Sequence, residues 1–134
     1  MSVIQSKRKE SELEFLKLLR DIEVIFIRMS VNKPRKFKHI LDKMIDMSME
    51  ALNYAKTANS IYVESQLEFD TRQAYFKQSI AKVYAINSQI EILRDVFRKE
   101  CVSDGQLKEL SKKSWDTIKC LKGVIAADKK RWKQ

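Results

Sequence analysis

Residues 70–99 read DTRQAYFKQSIAKVYAINSQIEILRDVFRK, and this stretch decides the fold. Most of its apolar side chains recur at intervals of three or four residues, which is the spacing of one face of an α-helix. These residues are Phe76, Ile80, Val83, Tyr84, Ile86, Ile90, Leu93, Val96 and Phe97. A helix of about thirty residues extends about 45 Å, so the stretch predicts an elongated helical architecture.

The same spacing occurs in three further segments, at about residues 9–30, 34–58 and 104–130. Residues 59–68 lose the spacing, which predicts a surface loop. Because short connections force sequential helices to run in opposite directions, the fold class expected is all-α, an antiparallel up-down-up-down four-helix bundle. We expect a single domain over residues 1–134, since this length suits one core.

Local signals mark two of the helix starts. Asn32 is a suitable N-cap for the second helix, and Pro34 suits its first turn because proline lacks the N–H that has no partner there. Ser103 and Gln106 fit a capping box, in which Ser103 accepts the third helical N–H and Gln106 reaches back. The chain contains only 2 Gly and 1 Pro, which argues against tightly turned sheets and glycine-rich phosphate loops.

The composition also argues against an enzyme. His39 is the only histidine, so di-iron bundle motifs are excluded, and Cys101 and Cys120 cannot build a zinc site with it. We therefore expect no catalytic residues, no metal and no cofactor, and two reduced thiols. No apolar segment is long enough to cross a bilayer, and the N-terminus does not resemble a signal peptide. A cytoplasmic protein is expected.

The charge is strongly basic, +9 from 27 Lys and Arg against 18 Asp and Glu. Residues 1–38 and 101–134 carry the whole excess, and residues 39–100 are close to neutral. The first and last helices are neighbours in the predicted bundle, so the excess should gather on one side and favour a polyanion. Asp42, Asp46 and Glu50 form an acidic stripe, either a solvated face or a contact for a basic neighbour.

The candidate binding residues form two basic groups. Several lysines of the last helix fall on nearly one line, which suits a row of phosphates, although a solvated helix face is the alternative. The first group is Arg35, Lys36 and Lys38; the second is Lys108, Lys112, Lys113, Lys119, Lys122, Lys129, Lys130 and Arg131. Trp115 is expected in the core or a subunit contact rather than stacked on a base, and Trp132 in a frayed terminus.

The C-terminal half carries a pattern of residues that resembles a known family. It runs from Arg72-Gln-Ala-Tyr75 through Ile86, Ile90 and Leu93-Arg94 to Leu107-x-x-Leu110-Ser111 and Trp115-Asp116-x-Ile118, ending at Leu121-x-Gly123. The chain resembles the four-helix-bundle accessory proteins of diversity-generating retroelements (Avd-like), which are similar to rRNA intervening-sequence proteins. It departs from the family near Gly123, where Ile125 stands in place of a frequent Trp and Cys120 in place of a frequent Arg.

The resemblance implies a ring-shaped homopentamer that binds the retroelement reverse transcriptase and its template RNA. Such a protein supports mutagenic cDNA synthesis as a non-catalytic accessory. Independently, the first helix has more apolar residues than one bundle seam needs, which predicts a homo-oligomer.

Two alternatives remain open at this stage. A structural or regulatory bundle could bind only an acidic protein partner, and it would then not respond to RNA. A membrane-surface helix is less well supported, because the apolar residues form a bundle seam rather than one isolated amphipathic helix.

Overall fold

The computed structural model describes residues 2–31, 33–97 and 103–133, with side chains for 14–31, 33–96 and 103–133. Within this part of the chain every regular element is a helix and none is a strand. Its four helices are α1 (Ser2–Ser30), α2 (Arg35–Ser60), α3 (Gln66–Phe97) and α4 (Asp104–Lys133). Each helix packs against two others, so α1 and α3 lie across one diagonal of the bundle and α2 and α4 across the other.

Contacts between helices show that neighbours are antiparallel. Ser79 of α3 donates to the carbonyl of Ala51 in α2, and further along α3 Lys82 pairs with the earlier residue Glu50. Arg72, at the start of α3, contacts Asp128 near the end of α4, whereas the later Tyr84 contacts Trp115. Residue numbers therefore rise along one helix as they fall along its neighbour, as in an up-down-up-down bundle.

The core consists of two apolar clusters, one above the other along the bundle. The upper cluster lies between the C-terminal halves of α1 and α3 and the N-terminal halves of α2 and α4, and includes Phe26, Leu41 and Ile90. The lower cluster is built around Phe15 and Phe76, whose rings meet edge to face with centroids 5.7 Å apart. We call the second of these levels the base of the bundle.

Two buried serines lie on α2 and α4 at the level between these clusters. Ser48 is 1% exposed and Ser114 is fully buried. Each hydroxyl donates to a carbonyl of its own helix three residues earlier, Ile45 and Ser111 respectively, so neither is left unpaired. The serines therefore form a narrow polar level, which we call the serine waist.

The connection between α2 and α3 is shorter than the sequence predicted. The expected loop 59–68 is reduced to residues 61–65, because α2 continues to Ser60 and α3 begins at Gln66. Ser65 is the reason: its Oγ accepts the backbone N–H of Glu68 at 3.2 Å, and the Glu68 carboxylate accepts from Glu64 N at 3.1 Å. This arrangement is a variant of the capping box, in which the Glu68 carboxylate accepts from the N–H of Glu64, one residue before the cap, and from the Ser65 hydroxyl at 3.0 Å. The motif Ser65-x-x-Glu68 was present in the sequence.

The other helix starts confirm one prediction and correct another. The N–H of Gln106 donates to Ser103 Oγ at 3.2 Å and α4 begins at Asp104, which confirms the first half of the predicted capping box. The contact that Gln106 makes back to Ser103 is with its hydroxyl, which donates to Gln106 Oε1 at 3.4 Å. In α2, Pro34 is itself the N-cap and makes no side-chain cap bond, so it does not lie within the first turn. The predicted cap Asn32 lies outside the described residues.

The apolar surplus of α1 is buried within its own bundle. Leu19 and Phe26, which widened the predicted stripe, are 1% and 0% exposed, and Leu16 packs against the lower cluster. These three residues therefore do not by themselves require a second protomer, and the predicted homo-oligomer stays a prediction. None of the helices, over the described residues, is long and apolar enough to span a membrane.

Candidate nucleic-acid interface

The lysines of α4 divide according to the neighbour that each one faces. Lys113 faces α1, because its Nζ lies 3.1 Å from Asp21 and the lysine side chain is only 24% exposed. Lys122 faces α3, where its Nζ donates to the Tyr84 hydroxyl at 2.8 Å. Lys108, Lys112 and Lys119 lie on the outer side of the helix and are exposed.

Four of these residues make a continuous exposed surface, the α4 lysine face, defined as Lys108, Lys112, Lys119 and Lys122. They extend over about 21 Å of helix axis, at about 1.5 Å per residue. No ion pair joins any of these four ammonium groups to a carboxylate among the described residues. The face therefore presents positive charge to solvent along a line, as the sequence spacing predicted, while Lys113 is neutralised by Asp21.

The first basic group lies elsewhere on the molecule. Arg35, Lys36 and Lys38 are exposed in the first turn of α2, which is diagonal to α4. The two groups therefore do not join on one face, and the expectation that the basic excess gathers on one side is wrong for Arg35, Lys36 and Lys38. This turn contains no acidic residue, although a helix N-terminus favours negative charge. Its positive charge thus adds to that of the helix dipole.

The last basic residues, Lys129, Lys130 and Arg131, are exposed at the base end of α4. This end of the helix is held against α3. Trp132 donates from Nε1 to Gln66 Oε1 at 2.8 Å, and its ring stacks on Phe69 with centroids 5.4 Å apart and an angle of 9° between planes. The expectation of a frayed Trp132 is therefore wrong, because α3 begins four residues earlier than predicted and supplies both partners.

A buried ion pair also joins α3 to α4 at the base. The Arg72 Nε lies 2.7 Å from Asp128 Oδ2, and these side chains are 4% and 9% exposed. Arg72 also donates to the carbonyl of Ala58 at 3.1 Å, close to the end of α2, and its guanidinium lies 4.9 Å from the Phe76 ring centre. One guanidinium thus connects three helices, and it shares the Ala58 carbonyl with the N–H of Ile61, which donates to the same oxygen at 3.2 Å.

Two hollows flank this ion pair, with volumes of about 190 and 290 Å³. Arg72, Asp128 and Arg131 border both hollows. Because Asp128 neutralises Arg72 inside the bundle, Arg131 is the cation here that remains exposed to solvent. The base therefore differs from the α4 lysine face, because its central guanidinium is buried and paired with a carboxylate.

Cys120 borders the smaller hollow and is half-buried. Its burial, together with the nearby carboxylate of Glu14, raises the pKa of the thiol to about 11. At neutral pH the thiol is therefore protonated, and the thiolate that nucleophilic chemistry needs is scarce. Cys101 lies outside the described residues.

The acidic stripe of α2 is exposed at all three positions, Asp42, Asp46 and Glu50. Glu50 pairs with Lys82 of α3 at 2.7 Å, and this hydrogen bond raises the pKa of Lys82. Across the described residues, no three His, Cys, Asp or Glu side chains come together as a metal site would need.

Aromatic residues beside the α4 lysine face were not identified as a site from the sequence. Trp115 was expected either in the core or in a subunit contact. It is 47% exposed, so it does not lie in the core. Tyr84 is 39% exposed and meets Trp115 edge to face, with centroids 6.0 Å apart. A period counted along one helix cannot show this pair, since it depends on the register between α3 and α4.

Comparisons of the chain with protein-family models, curated proteins and solved structures found no match.

Proposed function

We propose that this protein is a non-catalytic accessory protein that binds nucleic acid through the α4 lysine face. The observation that carries the proposal is the row of four exposed ammonium groups without carboxylate partners among the described residues. A phosphate backbone offers negative charge at regular intervals, and each neutralised phosphate releases condensed counterions. Arg35, Lys36 and Lys38, in the first turn of α2, are a second and separate contact for the same polyanion.

The resemblance to Avd-like proteins makes this proposal more specific. On that basis the nucleic acid is the template RNA of a diversity-generating retroelement, and the protein partner is its reverse transcriptase. The protein would then hold RNA and polymerase together during mutagenic cDNA synthesis, without contributing a catalytic group. The proposed place of action is the cytoplasm.

A homopentamer is the oligomer that the same resemblance supports. A ring of five chains would multiply the net charge of +9 and set five lysine faces around one axis. Light scattering coupled to size-exclusion chromatography tests this directly, since one chain has a mass of 15.8 kDa. A particle five times heavier would support the ring, whereas the mass of a single chain would rule it out.

The binding proposal is tested by fluorescence anisotropy of a labelled structured RNA across a salt series. We expect log Kd to rise linearly with log salt concentration, with a slope of about 0.7 to 0.9 for each phosphate contacted. A salt-independent signal, or no binding at moderate salt, would overturn the proposal and favour the acidic-protein alternative.

Charge reversal locates the interface. The variant Lys112→Glu, Lys119→Glu, Lys122→Glu should abolish RNA binding and leave the helical circular dichroism signal unchanged. The matched control is Lys43→Glu, Lys56→Glu, Lys77→Glu, which changes the net charge equally at exposed positions of α2 and α3. Equal losses in both variants would show that only net charge matters, and the assignment to α4 would be wrong.

A further inference from the structure

The centre of the α4 lysine face is an exposed aromatic ring. Trp115 lies three residues after Lys112 and four before Lys119, so all three residues share one side of the helix. Lys108 and Lys122 lie seven residues away in either direction, which is about two helical turns. Half of the tryptophan surface remains open to solvent.

Tyr84 of α3 supports this ring from one side. The two rings meet at 82° with centroids 6.0 Å apart. This edge-to-face geometry is favourable for aromatic pairs. Tyr84 is itself held by Lys122, whose Nζ donates to the hydroxyl at 2.8 Å and lies 5.4 Å from the ring centre. Residues of two helices thus hold an aromatic surface in place among cations.

We propose that Trp115 is a stacking platform for an unpaired base, so that the α4 lysine face prefers single-stranded to double-stranded nucleic acid. This inference rests on the proposed function and deepens it. Every nucleobase has a π-face, and proteins that hold single strands combine a cationic track with exposed aromatic rings. In a duplex, both faces of each internal base are already stacked, so only the phosphates would reach the lysines.

The charge around Trp115 favours this ligand over a two-fold symmetric contact with a second copy of the chain. A symmetric contact between two copies through Trp115 would bring two sets of lysines together, and like charges in a dehydrated contact repel. A single strand supplies the opposite charge and an aromatic surface in the same molecule. Trp115 and Lys122 therefore contact neighbouring parts of one nucleotide chain.

Trp115 also provides the signal for its own test. The chain has 2 tryptophans, so Trp132→Phe leaves Trp115 as the sole indole, and phenylalanine retains a ring against Phe69. Oligothymidylate of 15 nucleotides and a 15-base-pair duplex are titrated into this variant at the same salt concentration. We expect the single strand to quench Trp115 emission and to bind at least about tenfold more tightly than the duplex.

Three variants separate stacking from charge. In the otherwise unchanged chain, Trp115→Ala should weaken binding of labelled oligothymidylate about tenfold and leave duplex affinity within about twofold. Trp115→Phe should restore most of the single-strand affinity. Lys112→Glu with Lys119→Glu should weaken both ligands, which would show that the cationic track is shared.

The outcomes distinguish this inference from the function on which it rests. If lysine reversal abolishes binding but Trp115→Ala leaves single-strand affinity unchanged, the stacking platform is wrong and nucleic-acid binding stands. If the unsubstituted protein binds neither of these probes nor the structured RNA, both proposals fail. If Trp115→Ala lowers the mass measured by light scattering, Trp115 belongs to a subunit contact and the stacking inference is overturned.

Discussion

Arg72 is the residue that joins most elements of the bundle at its base. Its guanidinium reaches the carboxylate of Asp128, the carbonyl of Ala58 and the ring of Phe76. Removing one partner of a buried ion pair leaves the other charge without compensation, which destabilises more than the pair itself stabilises. The Arg72 side chain is therefore engaged in the packing of the base.

Replacing Arg72 should therefore destabilise the protein strongly. We expect Arg72→Met to lower the free energy of unfolding by about 3–5 kcal/mol, because the Asp128 carboxylate remains buried without a partner. Urea unfolding followed by circular dichroism measures this. Should Arg72→Met not fold, the double variant Arg72→Met, Asp128→Leu removes both charges and should recover a folded protein.

An exposed ion pair provides the matched control. Lys82 and Glu50 have the same N–O separation, 2.7 Å, but their side chains are 37% and 51% exposed. We expect Lys82→Met to leave the urea midpoint unchanged, because solvent screens an exposed pair. If Arg72→Met and Lys82→Met lowered the urea midpoint equally, burial would not determine how much each ion pair contributes to stability.

Cys120 should react slowly despite lying beside a hollow. Its thiol pKa is raised from 9.0 to about 11, so the thiolate fraction at pH 8 is about 100-fold lower than for a thiol of ordinary pKa. We expect iodoacetamide to modify Cys120 slowly at pH 8 in a Cys101→Ser background, and the rate to rise until about pH 11. Modification at the rate of free cysteine at pH 8 would contradict this.

The raised pKa of Cys120 also determines whether its contribution to the free energy of unfolding rises or falls with pH. A folded-state pKa above the unfolded one means that the native state binds the proton more tightly. The contribution of Cys120 is therefore complete below about pH 9 and is lost as the pH rises towards 11. Subtracting the pH profile of Cys120→Ala isolates this contribution from the lysines and tyrosines that titrate in the same range.

Among the elements, α3 shows where local sequence signals succeed and where they are overlooked. Its long apolar period predicted a helix correctly, and the capping box at Ser103 fixed the start of the next helix. The equivalent motif at Ser65 lies in a stretch without apolar periodicity, so the period alone placed the start of α3 four residues late. A motif search independent of periodicity finds it.

The Ser65 cap makes a measurable contribution to α3. We expect Ser65→Ala to lower the free energy of unfolding by about 1 kcal/mol, since the N–H of Glu68 loses its acceptor. Ser60→Ala is the control, because the Ser60 hydroxyl only donates to the Thr57 carbonyl of its own helix. If the two variants unfold at the same urea concentration, the cap is not a significant element of stability.

The candidate site was only partly predictable, because the sequence shows spacing along one helix but not contacts between helices. The spacing of Lys108, Lys112 and Lys119 is a property of one helix, so the sequence alone places them on one face. The pairing of Lys113 with Asp21 and of Trp115 with Tyr84 depends on how helices are set against each other. One sequence contains no direct measure of that register.

At the scale of the whole molecule, the serine waist divides the core into two parts. Ser48 and Ser114 leave the upper and lower clusters without a shared buried apolar residue among those described. Substitutions at separate sites add in free energy, whereas neighbours in one cluster couple. The division can therefore be measured by combining substitutions.

We expect additivity across the waist. Ile90→Val in the upper cluster and Ile118→Val in the lower should each reduce stability by about 0.5–1.5 kcal/mol. Together they should add within about 0.5 kcal/mol. The comparison is the pair Ile86→Val and Ile90→Val, which lie one turn apart in the upper cluster. If the coupling free energy of this pair does not exceed the one measured across the serine waist, the two clusters are not separate cores.

The contacts of Arg72 and Trp132 also have a consequence for the order in which the bundle opens. The final turns of a chain normally fray, and their amide hydrogens exchange with solvent within the dead time of the measurement. Here the last turns of α4 are joined to α3 through Asp128 and Trp132. Deuterium uptake at these turns should therefore be slow, and the end of α4 should be among the late-opening parts of the molecule.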